Sequence, residues 1–153
     1  GVSNGNRSLN GGGWIGSVSD GLRVFSFTTH TGTATDYGEL SQARSAPRGA
    51  DDGSRGVFAG GTTHPNPKVD TMDFVSINTN ANAVDFGELN SITASGASTS
   101  DGSRAVYAGG DGTAGLKHYY QIGSKSSSIE WGDLDFEFAG VGVAGPAGAV
   151  SGG

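Results

Sequence analysis

Apolar residues along this chain come in short extended runs divided by polar, glycine-rich turns. RGVFAG over 55–60 and RAVYAG over 104–109 each place β-branched and aromatic residues in a span of strand length. MDFVSINTNANAVDFGEL over 72–89 holds two further runs about a polar NTNAN turn, and HYYQIGSKSSSIEWGDL over 118–134 repeats that plan about GSKSSS. No segment sustains the period of an amphipathic helix, so the pattern predicts short strands joined as hairpins.

The runs recur with a fixed period, which decides the architecture before any single strand does. DYGEL at 36–40 returns as DFGEL at 85–89 and as EWGDL at 130–134. A turn followed by Arg appears as NGNR, DGSR and DGSR, ending at Arg7, Arg55 and Arg104, 48 and 49 residues apart. A double glycine follows each Arg, ending at Gly13, at Gly60-Gly61 and at Gly109-Gly110. An aromatic stands eleven residues before each acidic start, at Phe25, Phe74 and Tyr119. The Asn-Gly and Asp-Gly pairs predict tight hairpins of type I′, RGVFAG and RAVYAG buried inner strands, and the segments after them outer hairpins. Each unit therefore holds about four short strands. The expected boundaries are blade 1 over 1–40, starting inside a unit, blade 2 over 41–89 and blade 3 over 90–134. Residues 135–153 read as a partial fourth unit or a Gly/Ala-rich tail.

This arrangement resembles the kelch repeat, in which a strand ending in Gly-Gly is followed by a variable loop, an aromatic, and then a Trp-like position before a Leu. The Trp-like positions are Tyr37, Phe86 and Trp131. The resemblance runs from Gly1 to about Leu134 and implies an all-β fold of kelch-like β-propeller blades, about three four-stranded units plus a partial fourth. The spelling of Ala34 to Arg44, Gly53 to Gly61 and Val84 to Leu89 is also similar to repeats in structural proteins of tailed-phage virions, particularly phages of marine cyanobacteria. That likeness implies a setting, the virion, as an extracellular particle.

Within a blade the aromatic of the five-residue motif is expected to pack between sheets and the Leu to close the apolar layer. Glu39, Glu88 and Asp133 are expected to meet Arg7, Arg55 and Arg104.

Composition narrows the function classes. Gly supplies 29 of 153 residues and there is no Cys, so neither disulfides nor thiolate metal sites are available. A formal charge of -6 with nine Lys and Arg lacks the basic face that phosphate binding needs, so no nucleic-acid partner is expected. No apolar run is long enough for a helical membrane span, and no membrane insertion is expected. His30, His64 and His118 are the histidines, but the blade map places His30 at the end opposite the other two, so no metal site is expected. ADDGS and TSDGS lack the ligand alternation of calcium loops. NGGGWIG lacks the Lys and helix of a phosphate loop, and no GxSxG motif occurs. Some kelch-like propellers are copper oxidases with a Cys-linked Tyr, which this chain cannot form. No catalytic residue and no cofactor are therefore expected.

The function expected is a non-enzymatic structural component of a phage virion, a fibre, tail or capsid-attached protein that also serves host attachment. Its partners would be other virion proteins or copies of itself, and a host-surface glycan or protein. The alternative is a propeller binding module acting through its variable loops, TTHPNPKVDT and DGTAGLKHYY. The loop residues expected to touch a ligand are His64, Asn66, Lys68, Lys117, His118 and Tyr120.

Overall fold

The computed structural model describes residues 1–28, 32–111 and 115–133. The twelve strands among them form three four-stranded antiparallel sheets, each a simple meander. Blade 1 is β1 (Val2–Ser3), β2 (Arg7–Trp14), β3 (Val18–Ser26) and β4 (Thr35–Glu39). Blade 2 is β5 (Arg48–Asp51), β6 (Arg55–Ala59), β7 (Thr71–Ser76) and β8 (Val84–Glu88). Blade 3 is β9 (Ala97–Ser100), β10 (Arg104–Ala108), β11 (Leu116–Gln121) and β12 (Ile129–Asp133). The described residues contain no helix. His30 and residues 134–153, with Leu134 and the fourth-unit segment, lie outside the described residues.

The innermost strands are β1, β5 and β9, with β5 touching both β1 and β9. Arg48 Nε donates to the Gly96 carbonyl at 2.6 Å and Ser100 Oγ to the Asp51 carbonyl at 2.6 Å, tying β5 to β9. The RGVFAG and RAVYAG strands are thus second from the centre, and the strands supplied by the connectors are first. Their turns also differ from type I′, because positive φ falls on Gly5, Gly53 and Gly102 alone. The residue before each glycine acts through its side chain instead. Asp52 Oδ1 accepts from the amides of Ser54 and Arg55 at 2.8 and 2.7 Å, and Asn4 and Asp101 do the same in their blades. Those amide donors hold the Asp101 carboxyl below its usual pKa.

The acidic-aromatic-Gly-acidic motif is a β-bulge. Leu22 pairs with Gly38 and Arg23 with Asp36, leaving Tyr37 as the extra residue, and Phe86 and Trp131 are extra in the same way in β8 and β12. A bulge turns the extra side chain out of the normal alternation, and here it turns the aromatic towards the next blade. Tyr37 is buried, and its hydroxyl donates to the carbonyls of Ser76 and, at 2.7 Å, Thr79 in blade 2. Phe86 packs edge-on against Tyr120 of blade 3, with ring centroids 6.0 Å apart.

Strand alternation then gives each blade a front, facing the following blade, and a back. Leu9, Leu22, Tyr37 and Leu40 of the blade 1 front share a core with Phe58, Val75 and Ile77 of the blade 2 back. Val57, Met72, Phe86 and Leu89 of the blade 2 front share a second core with Tyr107, Tyr120 and Ile122 of the blade 3 back. One expected equivalence shifts by a residue. Val24, not Phe25, occupies the position of Phe74 and Tyr119, because Val24 pairs with Thr35 as Phe74 pairs with Val84 and Tyr119 with Ile129. The outer hairpin of blade 1 is one residue longer, so counting back from Asp36 lands on the other face.

Candidate functional site

In blades 1 and 2 the double glycines fasten the blade to the connector that leads into the next. Gly12-Gly13, Gly60-Gly61 and Gly109-Gly110 all have positive φ, between 62 and 133°. A Cβ on Gly60 would lie 2.6 Å from the Thr93 carbonyl oxygen, so a side chain there collides with the connector. Gly13 N donates to the Arg44 carbonyl at 3.0 Å and Gly61 N to the Thr93 carbonyl at 2.8 Å, the same bond one repeat apart.

Beyond these glycines two loops meet at one end of the blades. Residues 15–17 turn back through a bond from Ile15 N to the Ser17 carbonyl at 2.9 Å. The loop over 60–70 is closed by the amide and hydroxyl of Thr63, which donate to the Pro67 carbonyl at 2.9 and 3.1 Å. The indole of Trp14 lies 6.4 Å from the His64 ring at a 40° tilt, and Trp14 is 59% and Ile15 84% exposed. Pro65, Asn66 and Pro67 are exposed beside them. Half-buried Lys68 reaches Asp111 of blade 3 at 3.3 Å. The result is a mostly neutral surface of aromatic, amide and proline groups, built on strand ends that the glycines hold in place. Large exposed apolar groups so gathered mark a contact surface.

His64, Asn66 and Lys68 of the expected ligand loops sit at this surface. Lys117, His118 and Tyr120 do not, because β11 begins at Leu116 and takes them out of the loop. Lys117 lies with its Nζ 6.0 Å from the Trp131 ring. Tyr120 is buried against Phe86, and burial raises its hydroxyl pKa. His118 is buried at 1% exposure, and neither ring nitrogen has a hydrogen-bond partner among the described residues. Burial lowers its pKa, partly offset by Glu130. Trp14 and Ile15 escaped the sequence reading, although the double glycine before them marks the same loop position that holds His64 in blade 2.

The repeated arginines do not meet Glu39, Glu88 and Asp133, which corrects the expected ion pairs. Arg7 donates to the carbonyls of Ile77 and Asn78, both at 3.5 Å, and Arg55 to those of Ile122 and Gly123 at 3.3 and 2.6 Å. Each thus grips the outer hairpin of the following blade. Arg55 also lies over Phe74 and Arg104 over Tyr119, 5.8 and 5.2 Å from the ring centres. Among the described residues, no group of three or more His, Asp or Glu is placed to hold a metal ion, and no helix is long and apolar enough to cross a membrane.

No protein-family model matches this chain, and no curated protein does. Among solved structures it is similar to one titled "Structure of YjhT", with a TM-score of 0.66 and 16% sequence identity over 81% of this chain. The match spans 42% of that structure's own length. With the three meanders, the likeness establishes an all-β, propeller-like fold of about three blades.

Proposed function

We propose that this chain is a non-enzymatic structural component of a phage virion whose loop end attaches the particle to a host-surface glycan or protein. The observation that carries the attachment role is Trp14, held out beside Ile15 and His64 at the end of rigid blades. An indole at the end of a paired strand supplies a large contact area at small entropic cost, the usual character of a binding hot spot. The virion setting is supported by the phage-like spelling of Ala34–Arg44 and Gly53–Gly61. The kelch-like order of double glycine, variable loop and bulged aromatic supports loop-borne recognition in either setting. A propeller binding module outside a particle is the second reading, favoured by the same loops.

Two measurements separate these readings. Mass spectrometry of purified particles from the source should find the chain at a fixed ratio to the major capsid protein. Its absence from particles would contradict the virion role and leave the binding module. Glycan and host-surface binding by the purified chain should be lost in Trp14→Ala while thermal stability is kept. Unchanged binding by that variant would contradict the loop-end site.

A further inference from the structure

The two blade contacts within the chain are copies of one another, down to single atoms. In the first, Arg7 donates to the Ile77 and Asn78 carbonyls, Ala83 N donates to the Glu39 carbonyl at 2.7 Å, and a Cβ on Gly38 would lie 2.5 Å from the Ala81 carbonyl oxygen. In the second, Arg55 donates to the Ile122 and Gly123 carbonyls, Ser128 N donates to the Glu88 carbonyl at 2.8 Å, and a Cβ on Gly87 would lie 2.7 Å from the Ser126 carbonyl oxygen. The front of blade 3 carries the same parts uncovered. Trp131 is 58% exposed, Arg104 is exposed, and a Cβ on Gly132 would meet nothing within 4 Å.

The back of blade 1 holds the other half. Phe25 and Phe27, 37% and 52% exposed, occupy the positions of Val75 and Ile77, and Asn10 occupies that of Phe58. The polar exceptions match across the two faces. Leu22 on the first front shares a core with Phe58 on the facing back, and Met72 shares one with Tyr107. At the corresponding places the open front has Lys117 and the open back has Asn10. A cation and an amide replace an apolar pair on both sides at once.

We propose that the front of blade 3 docks on the back of blade 1 of a second copy, head to tail, and that two copies close a six-bladed ring. In this contact Arg104 donates to the carbonyls of Phe27 and Thr28, Ala34 N donates to the Asp133 carbonyl, and the Gly32 carbonyl lies over Gly132. Lys117 meets Asn10. Head-to-tail contacts give a ring when their rotation closes, and six blades fall within the usual range for propellers. The proposal rests on the fold and holds for either setting of the function above.

The absence of Cys allows a direct test. Ala34→Cys with Asp133→Cys should form a covalent dimer under mild oxidation, and neither single variant should. Glu39→Cys with Ala83→Cys, the same position inside one chain, is the control and should form an intramolecular bond. A monomer from the first pair while the control closes, or a ladder of longer open chains, would overturn the proposal. The native mass of the unmodified chain is a second measurement that needs no engineered bond. Twice 15.3 kDa is expected, and a single chain of 15.3 kDa across the micromolar range would overturn it.

Discussion

Arg44 and Asp73 form an ion pair of 2.9 Å in which both side chains are fully shielded from solvent. It joins the connector between blades 1 and 2 to the third strand of blade 2. Both charges have further partners, although Arg44 Nε has none among the described residues. Arg44 also donates to the Phe58 carbonyl at 3.2 Å, and Asp73 accepts from both the amide and the hydroxyl of Ser41. Removing one partner leaves a buried charge unpaired, so Asp73→Ala should lower stability by about 3–5 kcal/mol. Arg44→Met with Asp73→Leu should recover most of that loss. Denaturant titration of the two variants checks both values, and equal losses in the two would count against the pair's role.

Blade 3 replaces the buried acid with His118, since Tyr107 pairs with His118 as Phe58 pairs with Asp73. Because burial lowers the His118 pKa, the unfolded chain takes up the proton more readily than the folded one. Stability should therefore hold above the ordinary His value of 6.5, fall as the pH drops below it, and level off beneath the folded-state value. His118→Leu should remove this slope. Thermal melts of both chains between about pH 7 and about pH 5 make the comparison, and parallel curves would refute it.

Gly60→Ala should destabilise the chain by about 1–3 kcal/mol, because its φ of 66° and the Thr93 carbonyl both oppose a side chain. Gly123→Ala, where a Cβ would meet nothing within 4 Å, is the control and should stay within about 0.5 kcal/mol. Similar melting temperatures for the two variants would show that the double glycine is not what holds the connector.

Arg55→Met should cost about 1.5–3 kcal/mol through its lost bonds to the Ile122 and Gly123 carbonyls. Glu88→Gln should change stability by less than about 0.5 kcal/mol, since it is exposed and has no ion pair among the described residues. Chemical denaturation of the two side by side distinguishes this carbonyl grip from an ion pair, which would make both losses large.

The repeat made the blades legible because hairpins, double glycines and bulged aromatics are all local signals. The bulge itself was hidden, since only pairing shows that Tyr37 opposes no residue. Arg44 reads as one basic residue in a low-charge connector, and nothing near it in sequence names Asp73. His118 follows a glycine-rich loop and looks exposed until the pairing of β11 with β10 buries it. At the loop end, His64, Asn66 and Lys68 were visible as a variable segment, whereas Trp14 gains its meaning only when the first double glycine is superposed on the second.

A blade front is completed by a blade back, and Trp131 reports on that contact directly. The chain has two Trp residues, so Trp14→Phe leaves Trp131 as the only indole. Its fluorescence should show a water-exposed emission in dilute solution and shift to shorter wavelength as concentration rises and two copies close. An emission that does not change with concentration would show that the front of blade 3 is not covered by a second copy.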